Sequence, residues 1–246
     1  MNPVPPFPSA TSITHLRVYD WATRDGSAGG SPHVHLASAE AYVPTRGAGA
    51  VEILTRDGAS MVPLTVGAVV WFEPGTIHRL HNRSGDLELL VVMQNAGLPE
   101  AGDAVLTFPA EMLASGQAYE TASTLEPGTD GVRLESARRR RDAAIEGYLA
   151  LRERVNAGDI AALEDFLMRA VALKRDRLAA WRETWERGPL HEAMRTGERL
   201  AALAAGDIHD LLASRHAALD LGNAHTGVGM CGRLDAFLPE GVASPH

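Results

Sequence analysis

Two hydrophobic periods divide the chain. Up to about residue 125, apolar positions come in short runs broken by Gly, Pro and Asp. Runs at 15–19, 33–36, 39–43, 51–55, 61–64, 68–72, 79–82 and 87–94 include many β-branched residues. Turn signals such as Arg56-Asp57-Gly58 and Ser84-Gly85-Asp86 separate them. Short, closely spaced strands with turn residues between them predict an all-β sandwich or barrel. No long helical pattern intervenes, which argues against a βαβ parallel sheet.

After residue 134 the period becomes helical. Ile145, Tyr148, Leu149, Arg152 and Val155 share one face. Ile160, Leu163, Leu167, Ala170, Lys174, Leu178, Trp181 and Trp185 follow in steps of three and four, with Lys174 the one polar break. Gly158-Asp159 and Gly206-Asp207 each read as a helix stop followed by an N-cap. The Ala-Gly-Asp-Ile at 157–160 recurs at 205–208 and reads as repeated punctuation. Gly188-Pro189 is expected to end the long helix near Arg187. The fold class is therefore α+β. Residues 1–14 are expected as a flexible tail, 15–122 as the β unit, 123–134 as a linker and 135–246 as a mainly α-helical region. The apolar helical stripes must be buried on the β unit, on each other or on a second subunit.

Composition narrows the function classes. The 246 residues are 45% hydrophobic and 22% charged, enough for a sizeable core. A net charge of −8 argues against nucleic acid or an anionic membrane as partner. One cysteine, Cys231, excludes an intrachain disulfide framework and a cysteine-rich zinc site. The first residues carry no basic and apolar leader pattern, and no run of about 18 apolar residues marks a membrane span. A cytoplasmic location is expected.

Chemistry concentrates in two stretches. Residues 31–47 read SPHVHLASAEAYVPTRG. On a strand, alternation points His33 and His35 to the same side. Residues 67–82, GAVVWFEPGTIHRLHN, place His78 just beyond a Pro-Gly turn, where a neighbouring strand can deliver a third imidazole. Three neutral imidazoles and a carboxylate, here Glu40, bind a divalent transition metal well. Buried without such a partner, they would carry a heavy desolvation cost.

These stretches resemble the two signature motifs of the cupin superfamily. His33, His35, Glu40 and Gly47 fit the first, and Gly67, Gly75, His78 and Asn82 fit the second. Two departures stand out: Glu73 occupies the usual proline position, with Pro74 following, and Ser27 stands where the lead glycine belongs. The resemblance covers about residues 15–110 and implies a jelly-roll-type cupin β-barrel. It implies His33, His35, Glu40 and His78 as metal ligands, with two positions of an octahedral ion open to substrate, water or dioxygen. Iron or manganese comes first, and zinc, nickel, cobalt and copper are compatible. The activity it implies is a metal-dependent enzyme acting on a small polar metabolite, of dioxygenase or oxidase type first. A sugar isomerase or epimerase, or a non-catalytic metabolite- or metal-binding cupin, is the alternative. Leu36-Ala37-Ser38-Ala39 lacks the lysine of the lyxose-isomerase branch. A cupin transcription regulator would need a basic helix-turn-helix, which the helical half lacks. Cupins are dimers as a rule, so a homodimer is expected.

Other residues carry two readings each. Tyr42 shares the inward face of Glu40 and either donates a proton to substrate or fills the barrel. Arg46 either clamps a substrate carboxylate or is solvated at a strand end. Either Trp71 or Phe72 lines the cavity, and Gln94 is a further candidate. His81 is expected outward or satisfied in the core. The basic run 138–141 reads as a solvated helix face. His191, His209 and His216 form no convincing second metal site. His225 and Cys231 carry only a weak signal, with Cys231 read as a structural cysteine. Trp181 and Trp185 are expected at whichever contact buries the helices.

Overall fold

A computed structural model describes residues 7–218 and 225–236. The short apolar runs form β1 (Ser12–Val18), β2 (His33–His35), β3 (Glu40–Arg46), β4 (Ala48–Thr55), β5 (Gly58–Thr65), β6 (Val70–Phe72), β7 (Ile77–Asn82), β8 (Glu88–Met93) and β9 (Ala104–Leu106). The helical half holds α1 (Gly116–Ser123), α2 (Asp130–Asn156), α3 (Ile160–Lys174), α4 (Leu178–Trp185), α5 (His191–Ala204) and α6 (His209–Leu212). The chain then returns to strand as β10 (His225–Val228) and β11 (Gly232–Ala236).

The strands make two antiparallel sheets, in the orders β10-β11-β1-β8-β3-β6 and β5-β4-β7-β2-β9. Among the described residues no pairing joins one sheet to the other, so the expected closed barrel is a double sheet. The expected boundaries also shift. β1 begins inside the expected tail, and α2 begins inside the expected linker, with Asp130 in its first turn complementing the helix dipole. The mainly helical region 135–246 also contains strand, where β11 pairs along β1 from Thr14↔Ala236 to Val18↔Gly232. Arg17 fixes that return by donating to Asp235 at 2.6 and 3.0 Å.

Strand alternation sorts the residues into two cores. Between the sheets lie Leu16, Val51, Leu64, Leu80, Leu89 and Met93. The opposite face of the second sheet presents Val34, Leu54, Ile77 and Val105 to Ala144, Tyr148 and Leu151 of α2 and Phe166 of α3. Burying one such Leu, Ile or Phe contributes about 1.5–3 kcal/mol. The molecule is therefore layered as sheet, sheet and helices. Glu52 reinforces the outer interface, accepting from Arg152 of α2 at 2.7 Å and contacting His81 Nε2 at 2.9 Å. His81 is thus satisfied in the core.

Helix punctuation follows the local chemistry. Gly158 takes φ +89°, and Asp159 accepts from the Ala162 N–H as the N-cap of α3. At Gly188-Pro189 the chain does not stop. A π-turn, Glu186–Leu190, carries it from α4 into α5. The run 138–141 is solvated only in part. Arg141 is fully buried, donating to the carbonyls of Trp21 and Ala22 at 2.7 and 3.1 Å. Trp181 is buried and donates to Ala101 O at 3.3 Å, whereas Trp185 is 37% exposed.

At Gly147, α2 packs directly on the backbone that follows β9. A Cβ there would stand 2.2 Å from Thr107 O and 2.5 Å from the Phe108 carbonyl carbon. Helix propensity alone favours Gly→Ala by about 1 kcal/mol. Overpacking costs about 1–3 kcal/mol and should win, because both obstructing atoms are backbone. Gly147→Ala is expected to lower stability in urea denaturation. A stabilised variant would contradict this packing.

Candidate metal centre

The extended backbone of β2 turns His33 and His35 inward and Val34 outward. The register of β2 with β7 sets His33 directly opposite His78. The turn before β7 makes this possible. Gly75 takes φ +86°, strained for any residue with a Cβ, and its N–H donates to His35 O at 2.9 Å. The fourth member comes from the other sheet, where Glu40 opens β3. One ligand atom from each residue lies within 4.8 Å of the others, and all four residues are buried.

The hydrogen bonds define the tautomers. His33 Nδ1 lies 2.9 Å from Ser31 O, and His78 Nδ1 lies 3.1 Å from Thr76 O. A carbonyl only accepts, so both Nδ1 atoms carry the proton. His35 Nδ1 lies 2.6 Å from the Asp103 carboxylate, which orients it the same way. In its neutral form each ring therefore presents an Nε2 lone pair to the centre. His33 and His78 Nε2 are 3.1 Å apart, and Glu40 Oε2 lies 3.1 Å from His78 Nε2 and 3.5 Å from His35 Nε2. Glu40 Oε2 is buried with no hydrogen-bond donor. Ligands about 2.0–2.2 Å from one ion sit about 3 Å apart when adjacent. The donor set thus fits a divalent transition metal, which would relieve both the facing lone pairs and the orphaned carboxylate oxygen.

Electrostatics agree with that arrangement. Burial, with the neighbouring His78 and His35, holds the His33 pKa well below 6.5, keeping the ring a neutral ligand. Burial opposes ionisation of Glu40, but the pull of His78, His35 and His33 outweighs it and brings the carboxyl down to about 2. His35 is the exception: burial opposes its charge, but Asp103 and Glu40 outweigh burial and raise its pKa, so this ring would release its Nε2 proton on binding a metal.

A cavity of about 330 Å³ opens onto His33, His35 and Glu40. Tyr42, expected on this face, is buried and lines the cavity. Burial and the adjacent Glu40 push its pKa well above 10, so the phenol stays protonated. Register assigns the aromatic pair: Phe72 packs on His78 at 4.3 Å, and Trp71 is 72% exposed. Arg46 does not line this cavity. It lies beyond an irregularity in the β3–β8 pairing, 64% exposed and paired with Asp86 at 3.1 Å. Gln94 is exposed and accepts from the Ala39 N–H at 3.4 Å. Cys231 is buried on the cavity wall, its Sγ 3.9 Å from His33 Nδ1. The side chain of His225 lies outside the described residues. His191, His209 and His216 are exposed on the helical half.

Sequence reading missed three residues. Asp103 precedes β9, and only the β2–β9 pairing brings it to His35. Arg140 of α2 and Lys174 of α3 line the same cavity. Burial, then Arg177, lowers the Lys174 pKa to about 8, with Asp103 opposing the shift. The one legible signal was Lys174 itself, the polar break in an apolar stripe.

Loss of a carboxylate that orients a metal-binding histidine typically weakens the metal about 10–100-fold. Asp103→Ala should do so in competition with a chromogenic chelator. Unchanged affinity would show that Asp103 does not position His35.

No family model and no curated protein matches the sequence. Similar solved structures include Streptomyces Pac13, a nucleoside dehydratase, at 14% identity and a TM-score of 0.27, covering 34% of this chain and 58% of that one. Another is WlaRA, a TDP-fucose-3,4-ketoisomerase from Campylobacter jejuni, at 17% identity and 0.28, covering 32% and 58%. Oxalate decarboxylase from Bacillus subtilis matches at 18% and 0.29, covering 35% and 22%. The chain spans less than two thirds of each of these proteins, and at such TM-scores none carries a functional argument.

Proposed function

We propose that this protein is a metal-dependent enzyme of the cupin type that acts on a small polar metabolite. One observation carries the reading: three inward Nε2 lone pairs and an orphaned Glu40 oxygen converge on one point at a cavity wall. Bound there, a divalent transition ion, iron or manganese first, supplies Lewis acidity to substrate oxygen atoms.

The chain supplies the rest. Asp103 orients His35, while the carbonyls of Ser31 and Thr76 orient His33 and His78. Val91, Met93 and Leu106 give the cavity an apolar lining that limits water. The protonated Tyr42 hydroxyl, beside Glu40, donates a hydrogen bond or a proton to a substrate oxygen. Arg46 has no part in this reading. Oxidative chemistry of the dioxygenase or oxidase type is the first assignment, and sugar isomerisation or epimerisation is the alternative. The two differ in dioxygen consumption.

The reading includes a cytoplasmic homodimer. No helix among the described residues is long and apolar enough to cross a membrane. Exposed Leu200, Leu203, Leu211 and Leu212 on α5 and α6 support self-association, which sedimentation velocity tests.

The enzyme loaded with Fe(II) or Mn(II) should turn over a member of a panel of hydroxy acids, keto acids and sugars. Dioxygen uptake marks the oxidative branch, and its absence during turnover marks isomerisation. Tyr42→Phe should lower kcat by about 10²–10⁴-fold, the usual worth of positioned proton transfer. Full turnover by His78→Ala would contradict the assignment. Binding of a panel member without turnover would favour the non-catalytic alternative.

A further inference from the structure

Two cations line the cavity that opens onto the metal cluster, and both come from the helical half. Lys174 is the only lysine of the chain and is 8% exposed. Its Nζ stands 5.2 Å from the centre of the Tyr119 ring. Its acidic neighbour Asp103 has one oxygen engaged by His35. Arg140 donates to two neutral carbonyls, Ser123 O at 3.1 Å and Gly229 O at 2.8 Å. Its Nε is buried with no hydrogen-bond partner. Among the described residues no carboxylate pairs with Arg140. Glu100 also lines the cavity, and its Oε2 accepts from the Gly97 N–H at 2.6 Å.

A buried cation without an anionic partner is expensive. In a protein of net charge −8, the Arg140 guanidinium could readily have been matched by a carboxylate, and Asp103, the carboxylate near Lys174, is shared with His35. The two carboxylates that share their cavity have other contacts, Glu40 with the histidine cluster and Glu100 with the Gly97 N–H. A ligand carrying negative charge would compensate them. Guanidinium binds carboxylate and phosphate oxygens through paired hydrogen bonds, and ammonium adds a compact charge. A volume of about 330 Å³ lies near the small end of ligand sites, about 300–1,000 Å³.

We propose that Arg140 and Lys174 form an anion-binding wall, and that the substrate is a metabolite of a few carbons bearing a carboxylate or phosphate. They hold its anionic group while its other oxygens face His33, His35, Glu40 and His78. The second half of this statement rests on the proposed metal-dependent reading. Anion binding at the wall does not.

The test is calorimetric titration of the full chain, metal-free and metal-loaded, with malonate, inorganic phosphate and, as neutral control, glycerol. Metal content is measured on the same samples. The metal-free protein should bind malonate or phosphate but not glycerol, and the tighter anion identifies the group recognised. Arg140→Gln and Lys174→Gln should each weaken binding tenfold or more at unchanged metal content, and Lys174→Arg should restore most of it. Arg140 also ties Ser123 to Gly229. Should Arg140→Gln unfold, Lys174→Gln and Lys174→Arg carry the test alone. Equal affinity in wild type and Lys174→Gln would overturn the proposal. So would anion binding that requires the metal and ignores both substitutions, since the ion alone would then hold the anion. Anion binding at the wall in a protein that takes up no metal would uphold the wall and remove the metal-dependent reading.

Discussion

Three imidazole nitrogens and a carboxylate oxygen, withdrawn from water and presenting lone pairs to one point, repel one another until a cation joins them. Much of the β architecture bears on holding that arrangement. The three histidines come from adjacent strands of one sheet and Glu40 from the other, so an ion at the centre would tie the two sheets together. A slip of one residue between β2 and β7 would break the His33–His78 pairing, and every side chain would exchange faces. The turn at Gly75 and the carbonyls behind His33 and His78 keep the lone pairs inward. What stabilises the fold and what prepares the site are here the same hydrogen bonds.

The helical half completes this design from outside. α2 and α3 cover the outer face of the histidine-bearing sheet, burying Val34, the residue between the two ligands of β2. The contact at Gly147 brings α2 close enough for Thr107 Oγ1 to donate to Ala144 O at 3.0 Å. The same helices bring Arg140 and Lys174 to the cavity. Covering the sheet and lining the cavity are thus combined in one pair of helices, and neither role requires a second subunit.

Much of this was legible in the sequence, because it rests on local periodicity. The change of period separated strands from helices, and Gly158-Asp159 marked a helix boundary that the structure keeps. Spacing in two short stretches brought out the four buried cluster residues. What escaped depends on contacts between distant segments. Asp103 reaches His35 only through the pairing of β9 with β2. β11 returns to β1 across more than 200 residues of sequence, and a five-residue strand among glycines carries little signal of its own. Arg140 and Arg141 lie in a basic run that looks solvated, yet Arg141 is buried against the carbonyls of Trp21 and Ala22, and Arg140 lines the cavity with its Nε unpartnered. Arg46, near Glu40 in sequence, is carried to the far end of the strand, where it takes the solvated of its two readings and pairs with Asp86.

The four converging side chains should hold a transition metal. The most direct measurement is elemental analysis of the protein purified without chelators, beside His33→Ala prepared identically. The wild type should carry a stoichiometric transition ion that is lost in the folded variant. Absence of metal from both proteins, even after reconstitution with iron, manganese or zinc, would contradict that expectation.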